Sequence, residues 1–151
     1  MGLSTTSDDE TEPPPGLGHD GHRREAGAVA SILLIDDDPV ASLFLGRLFE
    51  SSGYAALHAA TGLEGIEAVR THRPDLVFID LVLPDMAGTE VARGIRSDLR
   101  LRRIPLVALS ASTWDLQEVR AANFVDHVFL PIDDIVRFIR RLSCLLQERT
   151  A

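Results

Sequence analysis

Two short apolar runs that end in acidic residues constrain the fold of this chain more than any other feature. Ser31–Ile35 is followed at once by three aspartates, 36–38, and Leu76–Ile79 is followed by Asp80. Unbroken runs of Leu, Ile and Val of this length are typical of strands buried on both faces of a parallel sheet. Ligands bind at the carboxyl ends of such strands, and carboxylates that converge there repel one another unless a cation lies among them. The pattern therefore predicts a Mg²⁺ site with one reactive aspartate.

The composition is that of a soluble globular protein, and it argues against several classes of function. The chain has 151 residues, of which 45% are hydrophobic and 25% charged, enough for one domain with a substantial core. A net charge of -8 argues against a nucleic-acid or anionic-membrane binder. The single cysteine, Cys144, excludes an internal disulfide, and no apolar stretch approaches the roughly 20 residues of a membrane span. We therefore expect a cytoplasmic protein with no nucleic-acid or membrane partner.

Residues 1–29 are expected to form a disordered acidic and proline-rich tail that precedes a folded domain at 30–148. The tail contains an acidic stretch, residues 8–10, and three consecutive prolines, 13–15, which cannot continue a helix or join the interior of a sheet. The tail also offers too little apolar surface to offset the conformational entropy that is lost on ordering.

From Ser31 onward, segments with the pattern of strands alternate with segments with the pattern of helices. Asp38 and Pro39 suit the N-cap and the first position of the first helix, and Gly53 is expected to end it. The alternation predicts a (βα)5 α/β fold, in which right-handed crossovers place helices on both faces of a doubly wound parallel sheet. The predicted strands are 31–35, 54–59, 76–79, 104–109 and 127–130, and the predicted helices are 39–52, 63–72, 89–97, 113–122 and about 133–147.

Four short motifs in register carry a resemblance to a known family. They are Ile35–Asp37 after the first strand, Ala60–Gly65 after the second, Asp80–Gly88 after the third, and Leu109–Ala111 at the end of the fourth. With these motifs, the segment 31–147 resembles the receiver domain of two-component response regulators and is similar to the single-domain chemotaxis type.

The resemblance implies a flavodoxin-like sheet with strand order 2-1-3-4-5 and a site in which Asp80 accepts a phosphoryl group from a histidine kinase or phosphotransfer protein. It implies that Asp37 and Asp80 ligate Mg²⁺ with the backbone carbonyl of Val82, and that Asp36 joins the metal site through a metal-bound water. Ser110 would then donate its hydroxyl to a phosphoryl oxygen. These residue types suit the chemistry, because a carboxylate is a nucleophile toward phosphorus and Mg²⁺ prefers oxygen ligands.

The resemblance also implies a signalling role rather than an enzymatic one, with at most self-phosphorylation from small donors and self-dephosphorylation. Because the chain ends with the fifth helix, we expect a stand-alone regulator that signals by contact with an output protein. The face of the fourth helix, fifth strand and fifth helix is the expected contact surface, and a homodimer through that face is a further expectation. Two enzyme classes on related folds fit less well, because position 82 is Val rather than a second aspartate and because aspartates, not glycines, follow the first strand.

The chain departs from the pattern of the family near its fifth strand. Leu130 stands before Pro131, where the family normally has a lysine, so an alternative is a receiver-like interaction module that works without phosphorylation. His127 occupies the position of a switching aromatic residue, and an ordinary surface histidine is an equal alternative. Asn123 stands where glycine is usual and is expected to adopt the left-handed conformation. Trp114 opens the fourth helix, where it is expected either to pack or to report on the switch.

Deletion of residues 1–29 should leave the thermal midpoint of unfolding nearly unchanged, because the strand pattern starts only at Ser31. Differential scanning calorimetry of the full and truncated chains checks this expectation. A fall of several degrees, which corresponds to roughly 1 kcal/mol in a domain of this size, would instead show that the tail docks on the folded part.

Overall fold

A computed structural model describes residues 28–111 and 116–148, which form an alternating β/α chain. Nearly all of the predicted tail and Trp114 lie outside the described residues. The elements are β1 (Ser31–Ile35), α1 (Pro39–Ser51), β2 (Ala55–Ala59), α2 (Gly62–His72), β3 (Leu76–Asp80), α3 (Gly88–Arg96), β4 (Leu106–Ser110), α4 (Leu116–Ala121), β5 (Asp126–Phe129) and α5 (Ile135–Gln147). No helix in the described part of the chain is long and apolar enough to cross a membrane.

The five strands form one parallel sheet in the order β2-β1-β3-β4-β5, which confirms the predicted flavodoxin-like topology. In the register of the central strands, Ile35 lies beside Ile79 and Asp80 lies beside Leu109. The residues that follow β1 and β3 therefore emerge next to each other at the carboxyl edge of the sheet. The end of β4, at Ser110, lies on the neighbouring strand at the same edge.

Helices cover both faces of the sheet, and an apolar core fills each of the two layers. Successive residues of β1 alternate between these cores, and all four residues from Ile32 to Ile35 are essentially inaccessible to solvent. Three aromatic rings, Phe49 of α1, Phe78 of β3 and Phe138 of α5, pack together with centroid separations of 5.3 to 6.4 Å. Burial on both faces explains why the strands carry unbroken apolar sequences rather than an alternation of apolar and polar residues.

Some features at the ends of helices and strands agree with the sequence signals for caps and turns. Asp38 is the N-cap of α1, since its carboxylate accepts the N–H of Val40 at 2.9 Å. Asn123 has a φ of 61°, which confirms the left-handed conformation expected there. The predicted start of β4 at residue 104 is wrong, because Pro105 has no N–H to give to the ladder, and the strand begins two residues later, at Leu106.

Candidate functional site

The fold brings together three aspartates, two that follow β1 and one that ends β3. Asp36, Asp37 and Asp80 each offer one carboxylate oxygen, and these oxygens all lie within 4.8 Å of one another. The three side chains differ in burial, because Asp36 is 1% exposed, Asp80 is half-buried and Asp37 faces solvent. The adjacency of β1 and β3 accounts for this cluster, since both strands end at the same edge of the sheet.

Backbone N–H groups hold two of these carboxylates in place. One oxygen of Asp36 accepts the N–H of Asp38 at 2.9 Å, and one oxygen of Asp80 accepts the N–H of Val82 at 2.9 Å. The second oxygen of Asp36 is buried and accepts no hydrogen bond from a backbone N–H among the described residues, and the side chain nearest to sharing a proton with Asp36 is the carboxyl of Asp80. Buried polar atoms are nearly always paired with protein, water or an ion. An all-oxygen cluster with one buried oxygen that accepts no backbone N–H therefore fits a hard divalent cation such as Mg²⁺.

The pKa values of Asp36 and Asp80 are raised, which shows that holding these carboxylates together in their charged form is unfavourable. Burial is the largest cause that raises the pKa of the Asp80 carboxyl from its ordinary 3.8 to about 6, and the charges of Asp36 and Asp37 add to it. The N–H of Val82 acts in the opposite direction without cancelling these effects. Burial likewise raises the pKa of Asp36. Without a cation, the ionised cluster is therefore destabilising, and a bound divalent ion would relieve it.

The loop between β3 and α3 is tied closely to the end of β3. Val82, which is 62% exposed, forms an antiparallel bridge with Ala87, and the N–H of Gly88 donates to the carbonyl oxygen of Leu81 at 3.0 Å. A Cβ atom on Gly88 would clash with the carbonyl oxygen of Asp80, so only glycine allows α3 to start this close to the strand. This loop places the peptide of Val82 beside the acidic cluster.

Asp85, in the same loop, fastens the loop to the start of α2. Its two carboxylate oxygens accept the N–H groups of Gly62 and Leu63 at 2.8 and 2.9 Å. The hydrogen bond from Gly62, followed by that from Leu63, lowers the pKa of Asp85. Asp85 thus acts as a cap for α2 and lies outside the acidic cluster, a role that the sequence does not reveal because its partners are more than 20 residues away.

Ser110 and Leu130 occupy the neighbouring strand ends. Ser110 is 3% exposed and ends β4, one residue beyond the Leu109 that pairs with Asp80. The N–H of Leu130 donates to the carbonyl oxygen of Ser110 at 2.8 Å, which places Leu130 directly after β5 at the same edge. Its side chain packs against the core beneath α1 and α5. His127, also on β5, is half-buried, and burial lowers its pKa.

Sequence reasoning did not single out His58, although the structure places it against the acidic loop. Its Nε2 lies 2.8 Å from the backbone carbonyl oxygen of Asp36 and 2.9 Å from the hydroxyl of Ser42. The only sequence signal is a polar residue near the end of a short apolar strand, and such a residue is common on the edge of a sheet.

Comparison with known proteins agrees with this architecture. Residues 32–140 match the family described as the response regulator receiver domain, and the chain belongs to this family. The polar-differentiation response regulator DivK of Brucella anthropi is 31% identical over 120 residues, which cover 78% of this chain and 97% of that protein. The chain is therefore a response regulator receiver of two-component signalling, and membership of the family favours phosphorylation on an aspartate over a phosphorylation-independent module.

Solved structures show the same fold. A receiver domain of a Pseudomonas aeruginosa sensor histidine kinase, described with a magnesium ion coordinated in its active-site cleft, has 27% identity and a TM-score of 0.72, with 80% of this chain and 99% of that chain covered. The chemotaxis protein CheY4 of Vibrio cholerae has 22% identity and a TM-score of 0.73, with 78% and 99% covered, and it supports the fold alone. The predicted class, a signalling domain rather than a classical enzyme, is confirmed by the family.

Asp80→Asn should stabilise the metal-free protein at neutral pH. Because the pKa of Asp80 is about 6 when folded and 3.8 ordinarily, the unfolded chain releases this proton first, and stability falls as pH rises from about 4 to 6. The asparagine side chain can still accept the N–H of Val82. Because it does not ionise, it avoids the loss of stability that wild type shows as pH rises. We expect equal stability near pH 4 and an advantage of about 1 kcal/mol for the variant above pH 6, after allowing for partial solvent screening. Thermal unfolding in EDTA across this pH range measures the difference.

Asp98→Asn is the matched control, and its expected effect on stability at neutral pH is opposite to that of Asp80→Asn. The Arg100 side chain lowers the pKa of Asp98 to about 2, so its carboxylate stabilises the fold above pH 4 and loses this effect in acid. This control variant should be less stable than wild type at pH 7. If Asp80→Asn followed the control, or showed no pH-dependent gain, the acidic cluster would not carry the electrostatic cost described above.

Proposed function

We propose that Asp80 accepts a phosphoryl group from a phosphohistidine of a histidine kinase or phosphotransfer protein. The observation that carries this proposal is the convergence of Asp80 with Asp36 and Asp37, in which Val82 N–H orients the Asp80 carboxylate. A carboxylate oxygen of Asp80 forms a bond to phosphorus while the phosphorus–nitrogen bond of the donor breaks. The donor imidazole leaves and takes up a proton, and an aspartyl phosphate remains on Asp80.

Asp37 and Asp80, with the backbone carbonyl of Val82, are the residues that would hold Mg²⁺, and Asp36 would contribute through a metal-bound water. The buried oxygen of Asp36 that accepts no backbone N–H supports this assignment. When bound, Mg²⁺ would neutralise carboxylate charge and the charge that develops on the transferred group. The protein then has to keep the carboxylates converged and oriented, which the N–H groups of Asp38 and Val82 do.

The net charge of the site determines how Ser110 and Leu130 would affect its phosphorylated state. The three carboxylates carry about -3, which Mg²⁺ brings to about -1, and phosphorylation exchanges one carboxylate for a group of about -2, leaving about -2. Ser110 is proposed to donate its hydroxyl to a phosphoryl oxygen and so to couple the modification to the loop after β4. Leu130 adds no positive charge at the neighbouring strand end, so the phosphorylated site keeps this excess.

The proposed output is contact with a partner protein through the face of α4, β5 and α5, with a homodimer as another use of the same face. A cavity of about 420 Å³ lies between β5 and the start of α5, and its lining includes the apolar Val128 and Ile132 beside the charged Asp126 and Arg137. A recessed surface that combines apolar and charged groups suits a protein partner.

A phosphodonor should add one phosphoryl mass to wild type and none to Asp80→Asn. Incubation with acetyl phosphate and Mg²⁺, followed by intact mass measurement, tests this, and EDTA should abolish the labelling. Asp98→Asn, an acidic residue on the α3–β4 connection, is the matched control and should label like wild type. Equal labelling of Asp80→Asn would exclude Asp80 as the acceptor. A wild type that no donor labels, including a cognate kinase, would favour the phosphorylation-independent alternative.

Leu130→Lys should weaken Mg²⁺ binding and speed phosphorylation by small donors, because a lysine competes with Mg²⁺ for the carboxylates and compensates the phosphoryl charge. At 4 Å and an effective dielectric of about 20, one ion pair is worth about 4 kcal/mol before desolvation. A third of that energy would change a rate about tenfold. Calorimetric Mg²⁺ titration and a labelling time course measure both effects.

Leu130→Met keeps the size and apolar character of the residue and serves as the control for the lysine variant. It should bind Mg²⁺ and label as wild type does. If the lysine variant also behaved like wild type in both assays, position 130 would not lie within electrostatic reach of the acidic cluster.

A further inference from the structure

His58 forms a polar link between β2 and the loop that carries Asp36 and Asp37. Its side chain lies on the exposed edge of the sheet, beside Leu34 of β1 in the register. Its Nε2 is 2.8 Å from the backbone carbonyl oxygen of Asp36 and 2.9 Å from the hydroxyl oxygen of Ser42 on α1. A single ring nitrogen thus joins β2, the acidic loop and α1.

The chemistry of the acceptor fixes the role of that nitrogen. A carbonyl oxygen can only accept a hydrogen bond, so the contact with Asp36 requires the tautomer in which Nε2 of His58 carries the proton and donates it to that oxygen. The Ser42 hydroxyl oxygen, 2.9 Å from the same nitrogen, is then a second acceptor that shares this proton. The Ser42 hydroxyl also donates to this carbonyl oxygen, at 3.4 Å. On the other side of the same residue, the N–H of Asp36 donates to the carbonyl oxygen of Ala59 at 3.0 Å. β2 therefore holds Asp36 by both its backbone N–H and its backbone carbonyl.

We propose that His58 is a positioning residue for the two acidic side chains after β1. The carbonyl that it contacts belongs to the peptide bond between Asp36 and Asp37, so fixing this oxygen limits the rotation of the peptide from which both carboxylates project. Burial does not hold the ring in place, because His58 is exposed. The inference rests on the proposed function, in which Asp36 and Asp37 hold Mg²⁺. A preorganised loop loses less conformational freedom when the ion binds.

Two substitutions separate the donated hydrogen bond from the other properties of the ring. In His58→Gln, the side-chain amide nitrogen occupies nearly the position of Nε2 and can still donate to Asp36. In His58→Asn, the amide is one carbon shorter and cannot reach the same oxygen. We expect the Asn variant to raise the dissociation constant for Mg²⁺ about three- to tenfold and the Gln variant to stay within about twofold of wild type, since lost outer partners of metal ligands cost affinity.

His72→Asn is the matched control, because His72 is exposed at the end of α2, whose start faces the site and whose end lies at the opposite edge of the sheet. It should bind Mg²⁺ like wild type. Calorimetric titration with MgCl₂ on the full chain provides the four dissociation constants. Thermal midpoints of the same samples show whether any loss of affinity merely follows a loss of stability.

Nuclear magnetic resonance in EDTA provides a test that does not involve the metal. The carbonyl ¹³C shift of Asp36 should move in His58→Asn, stay near the wild-type value in His58→Gln, and be unchanged in His72→Asn, because it reports hydrogen bonding at that oxygen. In wild type, the ring ¹⁵N spectrum of His58 should show a protonated Nε2.

The two hypotheses fail in different ways. Wild-type Mg²⁺ affinity and an unchanged Asp36 carbonyl shift in His58→Asn would overturn the positioning role while leaving the proposed function intact. A wild-type protein that binds no Mg²⁺ would overturn the proposed function. Equal loss of affinity in the Gln and Asn variants would also overturn the inference, because it would show that the donated hydrogen bond is not what His58 supplies.

Discussion

The parallel pairing of β1 with β3 is the interaction on which the rest of this site depends. Ile35 and Ile79 lie side by side, so the next residues of both strands emerge together at the carboxyl edge. Apolar cores on both faces of the sheet hold these strands in register. Hydrophobic burial thus holds together three carboxylates that would otherwise repel one another. The raised pKa of Asp80, about 6, is a consequence of this burial and repulsion.

Acidic residues at this edge of the sheet either cap helices or form the acidic cluster, and their burial and hydrogen-bond partners distinguish the two roles. Asp38 and Asp85 are exposed and accept N–H groups at the starts of α1 and α2, so they stabilise helix ends. Asp36 and Asp80 are more buried, face other carboxylates and have raised pKa values. The caps fasten the loops to the starts of α1 and α2, and the cluster gathers negative charge beside them.

No lysine side chain offsets the negative charge of the acidic cluster. The whole chain contains no lysine, and the position after β5 is an apolar side chain that packs into the core. Under the proposed function, this makes the divalent ion a larger part of the compensating charge. A site that depends on its metal in this way benefits from carboxylates that are already positioned, which is the role assigned to the contact between His58 and the Asp36 carbonyl.

Much of the architecture was predictable, because it follows from patterns local in the sequence. Runs buried on both faces predicted the strands, Asp38 and Pro39 predicted the start of α1, and Asn123 predicted a left-handed residue. The order of these elements, with the motifs after each strand, was enough to infer the topology and the class of protein. The predicted start of β4 was wrong, because Pro105 has no N–H for the ladder even though its neighbours have the apolar character of a strand.

The sequence by itself determined that carboxylates follow two buried strands and that those strands belong to one parallel sheet. Only the tertiary structure decided how the acidic residues divide between capping and the cluster, because that depends on which backbone N–H groups come within reach across the fold. Asp85 finds its donors on α2, and His58 finds the carbonyl of Asp36, each more than 20 residues away. The raised pKa of Asp80 likewise depends on burial and on neighbouring charges, which exist only once the chain has folded.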